Sequence, residues 1–122
     1  MSRTTAKANL RRRHVTLAQA LAGLRGPENK TFSEVLAHGS LSIEIYAPRG
    51  VDPQTPHRRD ELYVVVSGRG EFVNGPDRHP FQPGDVLFVP AGVVHRFESF
   101  NDDFVTWVVF FGPDGGEADP PA

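Results

Sequence analysis

From Thr31 to Phe111 the chain is cut into short runs rich in β-branched and aromatic residues, each closed by Gly, Pro, Asn or Asp. That texture leaves few folds open. Short runs of this kind are strands, and strands recurring at this spacing build a sandwich or a closed barrel. The runs are Phe32–His38, Leu41–Ala47, Leu62–Ser67, Glu71–Asn74, Asp85–Val89, His95–Phe100 and Phe104–Phe111. In the second, Leu41, Ile43 and Ile45 alternate with Ser42, Glu44 and Tyr46, the period of two that marks a half-buried strand. Asn74–Gly75 is a hairpin signal, and Gly68-Arg69-Gly70, lying between strands, reads as a tight turn rather than a phosphate loop. One helix precedes the strands. Thr16 can cap it, Leu17, Ala20, Leu21 and Leu24 fall on one face, and Gly23 and Gly26–Pro27 stop it.

A chain of 122 residues is one domain. It has no cysteine, which excludes disulfides, thiolate metal sites and a cysteine nucleophile and fits a reducing cytoplasm. No apolar run approaches the roughly 20 residues of a membrane span. Met1–Arg13 lacks the apolar stretch of a signal peptide. With 13 basic and 15 acidic residues the whole is nearly neutral, which argues against a nucleic-acid surface. Charge gathers at the two ends. The expected organisation is a basic flexible tail over residues 1–13, one domain over residues 14–111, and an acidic, Pro/Gly-rich tail over residues 112–122.

Two segments carry chemistry. His57 and Glu61 stand four apart, so in extended chain they share a face. Glu61 then enters a strongly apolar strand, where an unpaired carboxylate is expensive. His95 likewise begins a strand, after the turn Pro90-Ala91-Gly92. Two imidazoles and a carboxylate from neighbouring strands can form a facial triad that holds a divalent ion and leaves positions open. Taken singly, each histidine reads more simply as a hydrogen-bonded structural residue. Tyr63, Phe88, Phe97 and Trp107 read as core aromatics, and Arg58, Arg59 and Asp60 as a solvated loop at the mouth of the barrel.

The spacing of these segments resembles the paired motifs of the cupin family of small β-barrels. His57-x3-Glu61-x6-Gly68 matches the first motif from its second histidine onward, and Gly84-x5-Pro90-x-Gly92-x2-His95 matches the second, with Ser99 in place of its final Asn. Thr55 stands where the family has its first histidine. The resemblance implies an all-β, double-stranded β-helix (jelly-roll) barrel with a short N-terminal helix. It implies one divalent metal ion (Fe, Mn, Ni or Zn) held by His57, Glu61 and His95, with Gln54, Thr55 or water completing the shell. Gln54, Thr55, Tyr63 and Phe97 are expected to line the cavity. His14, His38 and His79 match no ligand position. The implied partner is a small molecule. Family members include dioxygenases, isomerases, decarboxylases and lyases, as well as non-catalytic binders, so both a metal-dependent enzyme and a ligand-sensing or scaffold protein stay open. Cupins often pair through N-terminal strands, so a homodimer through Phe32–His38 and Leu41–Ala47 is expected.

Overall fold

In the structure, a computed structural model that describes residues 10–119, the runs become strands in two antiparallel sheets. The first element that lies wholly within the described residues is helix α1 (Leu17–Ala22). It begins at a capping box in which the Thr16 hydroxyl accepts the Gln19 amide and the Gln19 side chain accepts the Thr16 amide. The strands are β1 (Phe32–His38), β2 (Leu41–Tyr46), β3 (Asp60–Ser67), β4 (Gly70–Asn74), β5 (Asp77–Phe81), β6 (Val86–Val89), β7 (His95–Glu98) and β8 (Val105–Phe111). One sheet runs β1-β2-β8-β3-β6 and the other β5-β4-β7.

Strand β5 is absent from the sequence reading. Its residues Asp-Arg-His-Pro-Phe carry little strand propensity, and only the Asn74–Gly75 turn signal pointed to a returning chain. Pro80 is tolerated because β5 lies at the edge of its sheet, where a missing N–H breaks no second ladder.

Inward side chains of both sheets meet in one core. Tyr63, Val65, Leu87, Val89 and Val108 from the larger sheet pack against Phe72, Phe81 and Phe97 from the smaller, with Phe104 between. Phe97 is its hub, with ring centroids 4.9 Å from Tyr63, 4.7 Å from Phe72 and 4.6 Å from Phe104. Each such pair adds about 0.5–1.5 kcal/mol beyond the area it buries. A second, smaller core lies on the outer face of the larger sheet. There α1 lays Ala20, Leu17, Leu21 and Leu24 over Val35, Ile43, Ile45 and Trp107. The fold is thus the expected all-β jelly-roll with a short leading helix.

Gly68, in the turn between β3 and β4, occupies a position that cannot carry a side chain. Its φ is +89°, and a Cβ there would stand 2.5 Å from the Cα of Phe104.

After β8 the chain does not leave the barrel at once. The Gly112 amide donates to the Ser40 hydroxyl (3.1 Å), Gly115 to the Arg58 carbonyl (2.6 Å) and Glu117 to the Asp60 carboxylate (2.8 Å). Residues 112–117 therefore lie bonded along the barrel rather than as part of a free acidic tail.

Candidate metal centre

Three contacts tie the two motif segments together. The Gly92 amide donates to the His57 carbonyl at 2.7 Å, the Ala91 amide to Asp60 Oδ1 at 2.9 Å, and Glu61 lies in register with Val89 across β3 and β6. Asp60 is the staple. It is buried, not the solvated loop residue expected, and the amides of Glu117 and Ala91 hold its carboxyl below the usual range.

This bracing places His57, Glu61 and His95 so that one ligand atom of each lies within 4.8 Å of the others. Glu61 and His95 are almost wholly buried, and the His57 side chain is one-third exposed. His95 Nε2 stands 2.8 Å from Glu61 Oε1, and His57 Nε2 stands 3.8 Å from the same oxygen.

The His95 tautomer follows from its neighbour. Nδ1 lies 2.9 Å from the Val93 carbonyl, which can only accept, so Nδ1 carries the hydrogen. Nε2 then presents a lone pair towards a carboxylate, which has only lone pairs to offer. The approach is close but not aligned as a hydrogen bond, and His95 Nε2 and both Glu61 oxygens are left without a partner. In the metal-free protein burial is outweighed by Glu61 and the Val93 carbonyl, which hold the His95 imidazole above its usual value, so a proton on Nε2 competes with a cation for this place. Orphaned buried acceptors converging on one point ask for a cation. A divalent ion fits this donor set, and the carbonyl behind His95 is the outer partner that a ligating imidazole normally has.

Gln54 reaches the site and Thr55 does not. Gln54 Oε1 accepts from the Tyr63 hydroxyl at 2.9 Å and lies 3.3 Å from His57 Nε2, whereas Thr55 is exposed. Tyr63 borders the centre, its ring centroid 6.1 Å from that of His95. Its phenol is held well above the usual range by burial and then by Glu61, so it stays a donor. Phe97 stands behind Tyr63 as core.

Asp52, which sequence reasoning passed over, is the buried anchor of this wall. Its carboxylate accepts the Tyr46 hydroxyl, the Gln54 side-chain amide (2.8 Å) and the Phe97 backbone amide (2.8 Å). The sequence signal was faint: a lone Asp before Pro53 in a loop.

His57 opens onto a cavity of about 670 Å³, which Glu34, Ser42, Glu44, Arg59 and Phe110 also line. Arg59 bridges the opening. Its guanidinium donates to the Ser40 carbonyl and lies 5.8 Å over the Phe110 ring. Glu34 and Glu44 stand directly opposite each other on β1 and β2. Ser42 donates to Glu34 at 2.5 Å. Glu44 is pushed up to about 7 by burial first, then by Glu34 and Glu61, with Arg59 opposing.

That shift carries a sign. The native state holds the Glu44 proton more tightly than the unfolded chain, so its contribution to stability is full below the unfolded value of 4.5 and is lost as pH rises to about 7. After discounting for solvent screening this amounts to about 1–2 kcal/mol. In metal-free protein, wild type is expected to lose that much more stability between pH 5 and pH 8 than Glu44→Gln. Parallel urea midpoints for the two proteins across that range would refute it.

The comparisons with known proteins agree with the geometry. The sequence profile of the cupin domain family matches residues 42–111, more than half of the chain. The chain belongs to that family. The uncharacterised protein SCO3923 of Streptomyces coelicolor is 35% identical over 92 residues, covering 74% of this chain and 88% of that protein. The HTH-type transcriptional activator RhaS of Yersinia pestis is 35% identical over 74 residues, which are 61% of this chain but 27% of the activator. A Cupin 2 conserved barrel domain protein from Salinispora arenicola superposes with a TM-score of 0.59 over 75% of this chain and 83% of that one, at 24% identity. This last likeness is one of fold. Among the described residues, no helix is long and apolar enough to cross a membrane.

Proposed function

We propose that the protein binds one divalent metal ion through His57, Glu61 and His95 and holds a small oxygen-bearing molecule against it in the adjoining cavity, for chemistry of the isomerase type. The observation that carries the reading is the convergence of three buried, partnerless acceptor atoms from Glu61 and His95 beside His57. The ion, when bound, supplies a Lewis acid that polarises a ligand carbonyl or hydroxyl.

The chain's own residues do the rest. Gln54, oriented by Tyr63 and Asp52, presents its amide oxygen beside the ion's place, 3.3 Å from His57 Nε2. Phe110 offers the ligand an apolar wall, and Arg59 narrows the opening and limits water. Glu44, whose carboxyl lines the same cavity, can take up and return a proton of the bound molecule. No electrons leave the ligand in such an exchange.

Elemental analysis of protein purified without chelator or histidine tag tests the site. Each of His57→Ala, Glu61→Ala and His95→Ala should lower bound divalent metal at least tenfold while circular dichroism stays unchanged. Full occupancy in the double variant His57→Ala, His95→Ala would sink the proposal. The similarity to part of a transcriptional activator supports a second reading, a metal-dependent ligand sensor without turnover. Thermal stabilisation by a small hydroxycarbonyl compound with proton exchange into solvent, lost in Glu44→Gln, favours the enzyme. Stabilisation without exchange favours the sensor.

A further inference from the structure

The inner face of the larger sheet carries two adjacent rows in register: Ser42–Phe110–Glu61–Val89 and Glu34–Glu44–Val108–Tyr63–Leu87. Three carboxylates thus share a face that a small barrel fills with apolar side chains. The metal centre accounts for Glu61. It does not account for Glu34 and Glu44. Glu44 is half-buried in the cavity that His57 opens onto, and Glu34 lines the same cavity directly opposite it on the edge strand β1. The Ser42 hydroxyl holds Glu34 in place. Among the described residues, no lysine, arginine or histidine forms an ion pair with either carboxylate. Arg59 lines the cavity too, but its guanidinium is directed to the Ser40 carbonyl and the Phe110 ring. Like charges facing each other across paired strands oppose folding, so the pair costs stability where it stands.

We infer that the ligand of this cavity is a hydroxycarbonyl compound bearing a protonated amine, its ammonium seated between Glu34 and Glu44 and its oxygens turned to the metal centre. The oxygen end rests on the metal-binding reading above; the ammonium end does not. An ammonium has three N–H donors and no acceptor, so it serves two carboxylates at once. A hydroxyl has a single donor, and a carboxylate or phosphate would be repelled.

The acidic pair is not the only mark of a ligand here. Glu61, 1% exposed and with both oxygens unpartnered, lies on the same inner face, with Phe110 of β8 between it and Ser42 of β2. The backbones of β2 and β3, flanking β8, are about 10 Å apart, a distance that one small molecule covers. The cavity of about 670 Å³ is in the range of small-molecule sites, and Phe110 and Val108 wall the carbon frame between the two polar ends.

Calorimetric titration of the zinc-loaded full chain at neutral pH tests this, with glucosamine and 1-amino-1-deoxyfructose set against glucose, fructose and glucuronate. The two amines should bind at least tenfold more tightly than their hydroxyl counterparts, and glucuronate most weakly. Added salt should weaken the amines and leave the neutral sugars unchanged. Glu34→Gln, at an exposed edge position, should keep its circular dichroism and its metal while the amine preference falls at least threefold. The double variant Glu34→Gln, Glu44→Gln should lose the preference altogether. Elemental analysis of the same samples keeps the two readings apart. Protein that holds metal but binds the amines no better than the neutral sugars, or binds no member of the set, overturns the ammonium seat and leaves the metal site standing. A preference that survives the double substitution, or tightest binding of glucuronate, overturns it as well. An amine preference that persists in chelator and vanishes in the double variant supports the seat and counts against the ion.

Discussion

Asp52→Ala is expected to lower stability by about 3–5 kcal/mol, although Asp52 is neither a ligand nor part of a strand. Its buried carboxylate is the common acceptor for the Tyr46 hydroxyl, the Gln54 amide and the Phe97 backbone N–H. Alanine leaves these donors facing a small void, and each unpaired buried donor costs about 1–3 kcal/mol. The Tyr46 phenol cannot escape by ionising, because burial, the largest cause of its raised value, remains when Asp52 is removed. In a domain of this size the loss corresponds to a fall in Tm of more than about 10 °C. Asp52→Asn should fall between, since one carbonyl oxygen can still serve part of the set. Denaturation by urea and by heat measures both. A loss under about 1 kcal/mol for the alanine variant would show that water replaces the carboxylate freely.

The second large effect runs in opposite directions with and without metal. In chelator, Glu61→Leu is expected to be more stable than wild type by about 1–3 kcal/mol, because a nearly isosteric apolar side chain replaces a buried carboxylate whose oxygens have no partner. With zinc at a hundred times its dissociation constant, wild type should gain about 2.7 kcal/mol and Glu61→Leu nothing, so the order of stabilities narrows or reverses. Thermal melts with chelator and with zinc decide it. A wild type indifferent to every divalent ion tried, alongside a destabilised Glu61→Leu, would make Glu61 a structural residue. Residues that a fold would be firmer without are the ones whose retention calls for a ligand.

How far the sequence could be read depended on the distance over which each signal acts. The triad was legible because its spacing is local: His57 to Glu61 is one short bend, and the Pro90–Gly92 turn delivers His95. The helix was legible for the same reason, with Thr16 and Gln19 within one turn. Strand β5 was not, because its pairing with β4 overrides the poor propensity of Arg78, His79 and Pro80. Asp60 looked like a solvated loop residue because its donors, Ala91 and Glu117, come from 31 and 57 residues away. The unusual carboxyl of Glu44 was equally hidden. Parity showed that it faces away from Ile43 and Ile45, but only the register of β1 against β2 sets Glu34 opposite it.

The two cores share one wall, and that gives the protein a built-in pair of optical reporters. Its single tryptophan, Trp107, points outward into the small core beneath α1, while the buried tyrosines Tyr46 and Tyr63 point inward to the large one. Tryptophan fluorescence therefore follows the helix-covered outside of the sheet, and the tyrosine bands follow the inside, where the ligand cavity lies. If the small core opens first, the fluorescence transition precedes the tyrosine one, and the barrel survives helix undocking as a discrete state. If the shared sheet locks the two sides together, both signals move at the same denaturant concentration.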